Sequence, residues 1–97
     1  MTEFLPYDPA EDLETVEAIA AFLSDAMETR DSAYIANAFG VAARAKGMTQ
    51  LARETGVSRQ HLYDSLSDSG NPTLKTLLAI TSALGLDIKT VPHHEPG

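Results

Sequence analysis

The chain has 97 residues, 43% of them hydrophobic, with no cysteine and no tryptophan. One domain of that size buries a core unaided, so the composition excludes a disulfide framework and a disordered polymer, and it fits a reducing cytoplasm. The net charge of −7 stands against the basic surface that phosphate binding ordinarily requires, no apolar run is long enough to span a bilayer, and the acidic start with Glu3 and Asp8 does not read as a signal peptide.

Asp8-Pro9 has the form of a helix start, a capping carboxylate followed by proline at the first helical position, and predicts one short turn over residues 9–13. Thr15 is a second cap. Beyond it Val16, Ile19, Ala20, Leu23 and Met27 fall at the spacing of an amphipathic helix, which should run to about Arg30. Asp31-Ser32 restarts the chain, and a further helix is expected through Ile35, Ala38, Phe39 and Ala42 to about Lys46, with Gly47 stopping it. Arg44 and Lys46 lie near its end, where the helix dipole favours cations. Gly40 inside it weakens the helix by about 1 kcal/mol relative to alanine, and close packing there would account for its presence.

Thr49 is the expected cap of a short helix reaching Thr55. Gly56-Val57-Ser58 reads as a tight turn, and Ser58 caps a helix from Arg59 to about Ser67. Residues 68–72 are a loop by composition. Thr73 caps a last helix carrying Leu74, Leu77, Leu78, Ile80, Thr81 and Leu84, which Gly85 ends. Leu86 to Val91 alternates as a short strand would, and residues 92–97 read as a loose tail.

Residues 48–67 carry the functional signal. Two short helices crossing steeply need a three-residue turn between them, and Gly56 opens it in the left-handed backbone that glycine adopts most readily. Ala52 is small enough for close approach, while Leu51, Val57, Leu62 and Leu66 anchor the pair. With Leu62 and Leu66 pointing inward, Gln60, Tyr63, Asp64 and Ser67 lie roughly opposite, flanked by Arg59 and His61. Such a stripe suits base edges: glutamine pairs with adenine, arginine with guanine, and aspartate accepts from cytosine.

This segment resembles the helix-turn-helix of the Cro and lambda-repressor type, and Asn71-Pro-Thr-Leu74 through Ala83-Leu-Gly-Leu86 resembles the loop and following helix of that superfamily. The likeness covers residues 40–88. Over the whole chain, Tyr7-Asp-Pro-Ala10, Glu17-Ala-Ile-Ala-Ala-Phe-Leu23, Met48 to Ser58, Leu62-Tyr63 and Gly70-Asn-Pro-Thr73 resemble the HigA-like antitoxins, the antidote proteins of addiction modules. One departure stands out. Many Cro-type sequences place two residues between Thr-Gln and Leu-Ala, whereas Gln50 directly precedes Leu51. Met48 takes the register of their phosphate-clamping glutamine, so that role passes to Thr49 or to the backbone amides of the helix start.

The resemblance implies an all-α, lambda-repressor-like domain of five to six helices, here with one short C-terminal strand. It also implies an antitoxin that neutralises a small protein toxin and represses its own promoter on double-stranded DNA. The charge is consistent with two partners: residues 1–40 hold nine acids and one base, residues 41–97 five acids and six bases. Residues 1–40 are thus expected as an acidic helical extension facing a basic toxin, 41–91 as the DNA-binding core and 92–97 as a flexible tail. Acids that merely keep a small protein in solution are the plainer explanation.

The expected DNA contacts are Thr49, Ser58, Arg59, Gln60, His61, Tyr63, Asp64 and Ser67, with Arg44, Lys46, Ser69 and Asn71 toward phosphates. Arg44 and Lys46 serve equally well as helix-end cations, Ser69 and Asn71 as turn residues. One helix-turn-helix offers a small reading surface, so a homodimer on a palindromic operator is expected, with Leu86 and Ile88 at the contact. No glycine-rich phosphate loop, nucleophile elbow or cysteine nucleophile is present, so neither enzyme activity nor a cofactor is expected. His93-His94-Glu95 lacks the spacing of a closed zinc site, and Glu11/Asp12 and Asp25/Glu28 read as solvated acids. A stand-alone repressor without a toxin and a helix-turn-helix that binds only protein are the alternatives.

Overall fold

In the computed structural model, which describes residues 13–93, most helix starts are set by a side-chain oxygen just ahead of the helix. Helix α1 (Val16–Glu28) begins where Thr15 Oγ1 accepts from the Ala18 N–H at 3.0 Å. Helix α2 (Ser32–Lys46) begins where the Asp31 carboxylate accepts from the N–H groups of Ala33 and Tyr34 at 3.0 and 3.3 Å. Helix α3 (Met48–Thr55) follows Gly47, whose φ of 109° turns the chain between the two. Ser58 caps α4 (Arg59–Ser65) through the His61 N–H at 3.1 Å, and Thr73 caps α5 (Leu74–Ala83) through the Thr76 N–H at 3.1 Å. The class is all-α, with five helices and no strand among the described residues.

Several expected boundaries move. Thr49 caps nothing: α3 starts two residues earlier than a Thr49 cap implies, because Met48 is buried as its first helical residue, and no side chain caps it. Helix α1 stops at Glu28, short of Arg30, as the Thr29 hydroxyl donates to the Ala26 carbonyl at 2.7 Å and Arg30 takes a φ of 55°. Helix α4 ends at Ser65, and Ser67 lies in the loop. No strand forms over Leu86 to Val91. A lone strand has no neighbour to pair with, and the Leu86 N–H is committed to the Thr81 carbonyl at 2.9 Å, beside Gly85 N–H to Ser82 at 3.0 Å. These two bonds and Gly85 in the left-handed region (φ 78°) make a Schellman end to α5, with Leu86 folded back on the core. Of the turn expected over residues 9–13 only Leu13 is described, outside any helix and buried in the core; residues 9–12 with Glu11/Asp12, the Asp8-Pro9 cap, His94 and Glu95 lie outside the described residues.

One apolar cluster joins all five helices: Ile19, Leu23 and Ala26 from α1, Phe39 and Ala42 from α2, then Leu51, Leu62 and Ile80. Leu51, Leu62 and Ile80, one from each of α3, α4 and α5, have the largest side chains withdrawn completely from solvent. Helix α3 touches α2, α4 and α5, while α1 packs on α2. Gly40 has the close neighbour its position suggested. A Cβ there would stand 2.5 Å from the Leu66 carbonyl oxygen, so glycine lets α2 seat directly on the end of α4. No helix among the described residues is long and apolar enough to cross a membrane.

Candidate nucleic-acid interface

The turn between α3 and α4 is held from both sides. Gly56 closes α3 with a φ of 74°, the Thr55 hydroxyl donates to the Leu51 carbonyl at 2.8 Å, and the Val57 N–H donates back to Thr55 Oγ1 at 3.2 Å. The Ser58 cap then fixes where α4 starts. Leu62 and Leu66 are buried, as their spacing implied, and the buried Ser65 hydroxyl is satisfied by the His61 carbonyl at 2.8 Å.

The opposite side of α4 is open to solvent. Ser58, Arg59, Gln60, His61, Tyr63 and Asp64 are all exposed, and Ser67, Ser69 and Asn71 continue the surface into the loop. Gln60 Nε2 donates to Asp64 Oδ1 at 2.9 Å, one helical turn on. That bond orients the amide and leaves its oxygen free to accept. The Arg59 guanidinium carbon lies 5.9 Å from the centre of the Tyr63 ring, at the outer range of a cation–π contact. Ser67 Oγ donates to the Asp64 carbonyl at 3.0 Å and lies 3.4 Å from Ser69 Oγ. The face therefore carries hydrogen-bonding groups in a fixed arrangement, with Arg59 and Asp64 as its opposed charges.

The remaining expected residues stand elsewhere. Arg44 and Lys46 occupy the last turn of α2 and Thr49 the first turn of α3, so the three gather at the α2–α3 junction. Lys46 Nζ lies 3.7 Å from Glu54 Oε1, and Gln50 Nε2 donates to Glu54 Oε2 at 3.3 Å. Glu54 thus partly offsets the Lys46 charge, through a solvent-screened pair worth at most about 1 kcal/mol. A residue without a place among the expected contacts is Lys75. It lines an open groove of about 530 Å³ with Gly56, Ser58 and His61, between the turn and α5. A cation in the first turn of a helix was its only mark in the sequence. Residues 13–93 contain no cluster of three or more metal-ligating side chains.

A family model described as "Probable addiction module antidote protein" matches residues 3–92 of the chain. A protein of Haemophilus influenzae, described as "Uncharacterized protein", is 40% identical over 90 residues, which cover 92% of this chain and 93% of that protein. No solved structure matches. With nearly its whole length, from before α1 to beyond α5, inside one family model, the chain belongs to the family of probable addiction module antidote proteins.

Proposed function

We propose that this protein is the DNA-binding antitoxin of a type II toxin–antitoxin module. It neutralises a small basic protein toxin and represses its own promoter, as a homodimer on a palindromic operator, without enzyme activity of its own. Helices α3 and α4 act as a helix-turn-helix of the Cro and lambda-repressor type in a lambda-repressor-like domain, with α4 reading the major groove. The observation that carries the DNA reading is the polar outer face of α4, whose start is fixed by the Ser58 cap and whose Gln60 and Asp64 are already hydrogen-bonded to each other. Arg59 and Gln60, nearest the helix start, take the base contacts, and Ser67, Ser69 and Asn71 the phosphates. The antidote family supports the toxin partner. The exposed acids Glu14, Glu17, Asp25 and Glu28 on and beside α1 give a basic toxin a surface for fast, selective association.

Fluorescence anisotropy of a duplex taken from just upstream of the gene tests the DNA reading, at two salt concentrations and beside a scrambled duplex. Specific binding that weakens with salt and with Gln60→Ala is expected. Equal binding of both duplexes, or specific binding that a folded Gln60→Ala leaves unchanged, removes α4 as the reading helix. Co-expression with the adjacent open reading frame tests the toxin partner through co-purification and rescue of growth.

A further inference from the structure

We propose that the groove between α1 and residues 86–93 receives an apolar segment of the basic toxin, one flanked by lysine or arginine. The groove has a volume of about 850 Å³. Its floor is the buried Leu23 and Phe39 with the half-buried Leu86, so it opens directly onto the core. At its edges Met27 and Ile88 are each 49% exposed and Val91 73%. On the α1 side Ala20, Ser24 and Met27 share one face of the helix, and the first two are small enough to leave room for a foreign side chain. Single exposed apolar residues are ordinary, but several around one concavity mark a surface that a partner fills.

The wall opposite α1 has no helix, yet it is fixed at both ends. The Leu86 N–H donates to the Thr81 carbonyl at 2.9 Å. At the other end Arg30 Nη2 lies 2.9 Å from His93 Nδ1 and donates to it, which ties residue 93 to the turn after α1. The groove is thus formed before anything enters it, and little of the binding energy goes into ordering its walls.

Charge selects the occupant. Helix α1 carries Glu17, Asp25 and Glu28 and no base, and Glu14 precedes it. Glu28 lines the groove itself, and Asp87 lies on the opposite wall. Against these five acids stand two bases, Lys89 and the Arg30 already bonded to His93. A basic protein is drawn to the α1 edge while its apolar side chains enter the groove. A second copy, the occupant that the alternation of Leu86 and Ile88 suggested, brings the same acids and is repelled by them. The chain's own first twelve residues hold Glu3, Asp8, Glu11 and Asp12 and no base, so the same repulsion disfavours them. The inference rests on the proposed function for the identity of the partner as the toxin; the shape and charge of the groove do not depend on it.

Calorimetric titration of the full chain with the purified product of the adjacent open reading frame tests it, with methionine-methyl NMR read alongside. The Met27 methyl signal is expected to shift on binding, while that of Met48, buried in the core, stays in place. Met27→Asp/Val91→Asp weakens the affinity about 100-fold or more with its circular dichroism unchanged. Glu28→Lys weakens it about 10-fold at low salt and less at high salt. Leu78→Asp, at an exposed apolar position outside the groove, leaves it unchanged. Val91→Asp alone, at the most exposed position, shifts the affinity the same way and stands in for a double variant that fails to fold. A folded groove variant that binds like wild type overturns the proposal, whether or not its self-association changes. So does binding that leaves the Met27 methyl unmoved, since the groove is then closed to the partner by a second copy or by the chain's own start. A product that the wild-type chain does not bind removes the antitoxin reading and this proposal with it, whereas a product bound elsewhere removes the groove and leaves the antitoxin standing.

Discussion

Replacing Gly40 by alanine measures how tightly α2 is seated on the end of α4. In an open helix the change would stabilise by about 1 kcal/mol, because glycine is the poorer helix former. Here the new Cβ would stand 2.5 Å from the Leu66 carbonyl oxygen and 3.6 Å from the Leu66 Cβ. The obstacle is backbone at the C-cap of α4, so it cannot rotate aside as a side chain would. The two helices must separate, with an overpacking penalty at the upper end of about 1–3 kcal/mol. The penalty outweighs the propensity gain, leaving a net loss of about 1–2 kcal/mol and a Tm lower by about 5–15 °C. Thermal and urea unfolding followed by circular dichroism read both quantities. Gly56→Ala is the informative comparison, since a Cβ at Gly56 meets nothing within 4 Å and its loss comes from the φ of 74° alone, about 1–2 kcal/mol. A Gly40→Ala protein as stable as wild type, or more so, would refute the close seating of α2 on α4.

The caps give a second set of outcomes. Ser58→Ala and Thr73→Ala each lose about 1 kcal/mol in urea unfolding, whereas Thr49→Ala stays within about 0.5 kcal/mol of wild type because its side chain caps nothing. Leu62→Ala, at a fully buried position, loses about 2–5 kcal/mol in the same assay. In the anisotropy titration Gln60→Ala weakens operator binding about 5- to 150-fold and leaves the scrambled duplex unaffected, the signature of a base contact. Asp64→Asn strengthens binding to both duplexes and narrows the ratio between them.

The parts of the fold that were legible in the sequence are those decided locally. Thr15, Asp31, Ser58 and Thr73 mark their helix starts because a cap needs only an oxygen and the next two or three amides. Gly56 and the inward Leu62 and Leu66 follow from one turn and one helical period, and they bring Ser58, Arg59, Gln60, His61, Tyr63 and Asp64 onto one surface. What the sequence concealed was decided at a distance or by competition. Thr49 has the right chemistry for a cap, but burial of Met48 starts the helix earlier. Leu86 to Val91 alternates like a strand, yet Leu86 is taken by the end of α5 and the described residues include no strand to pair with it. Arg30 adopts a φ of 55°, a backbone that glycine or asparagine would ordinarily signal, so the end of α1 left no mark.

Acidity and DNA recognition are compatible on this chain if affinity and discrimination come from different groups. Attraction to phosphate is sequence-blind and scales with cations. The α4 face supplies Arg59, opposes it with Asp64, and sits on a chain of charge −7. On the proposed DNA reading, non-specific DNA is thereby held weakly. Asp64 serves twice: it orients Gln60 through the bond at 2.9 Å, and its carboxylate is repelled by any backbone unless a base-edge donor such as cytosine N4 stands opposite. Removing its charge therefore raises binding everywhere and discrimination nowhere. A reading helix built this way needs reinforcement from outside its own surface. The proposed function names two sources: a second copy, which doubles the base contacts, and a basic partner on the acids around α1, which supplies the missing phosphate attraction. With the second source, repression would rise and fall with the amount of that partner bound.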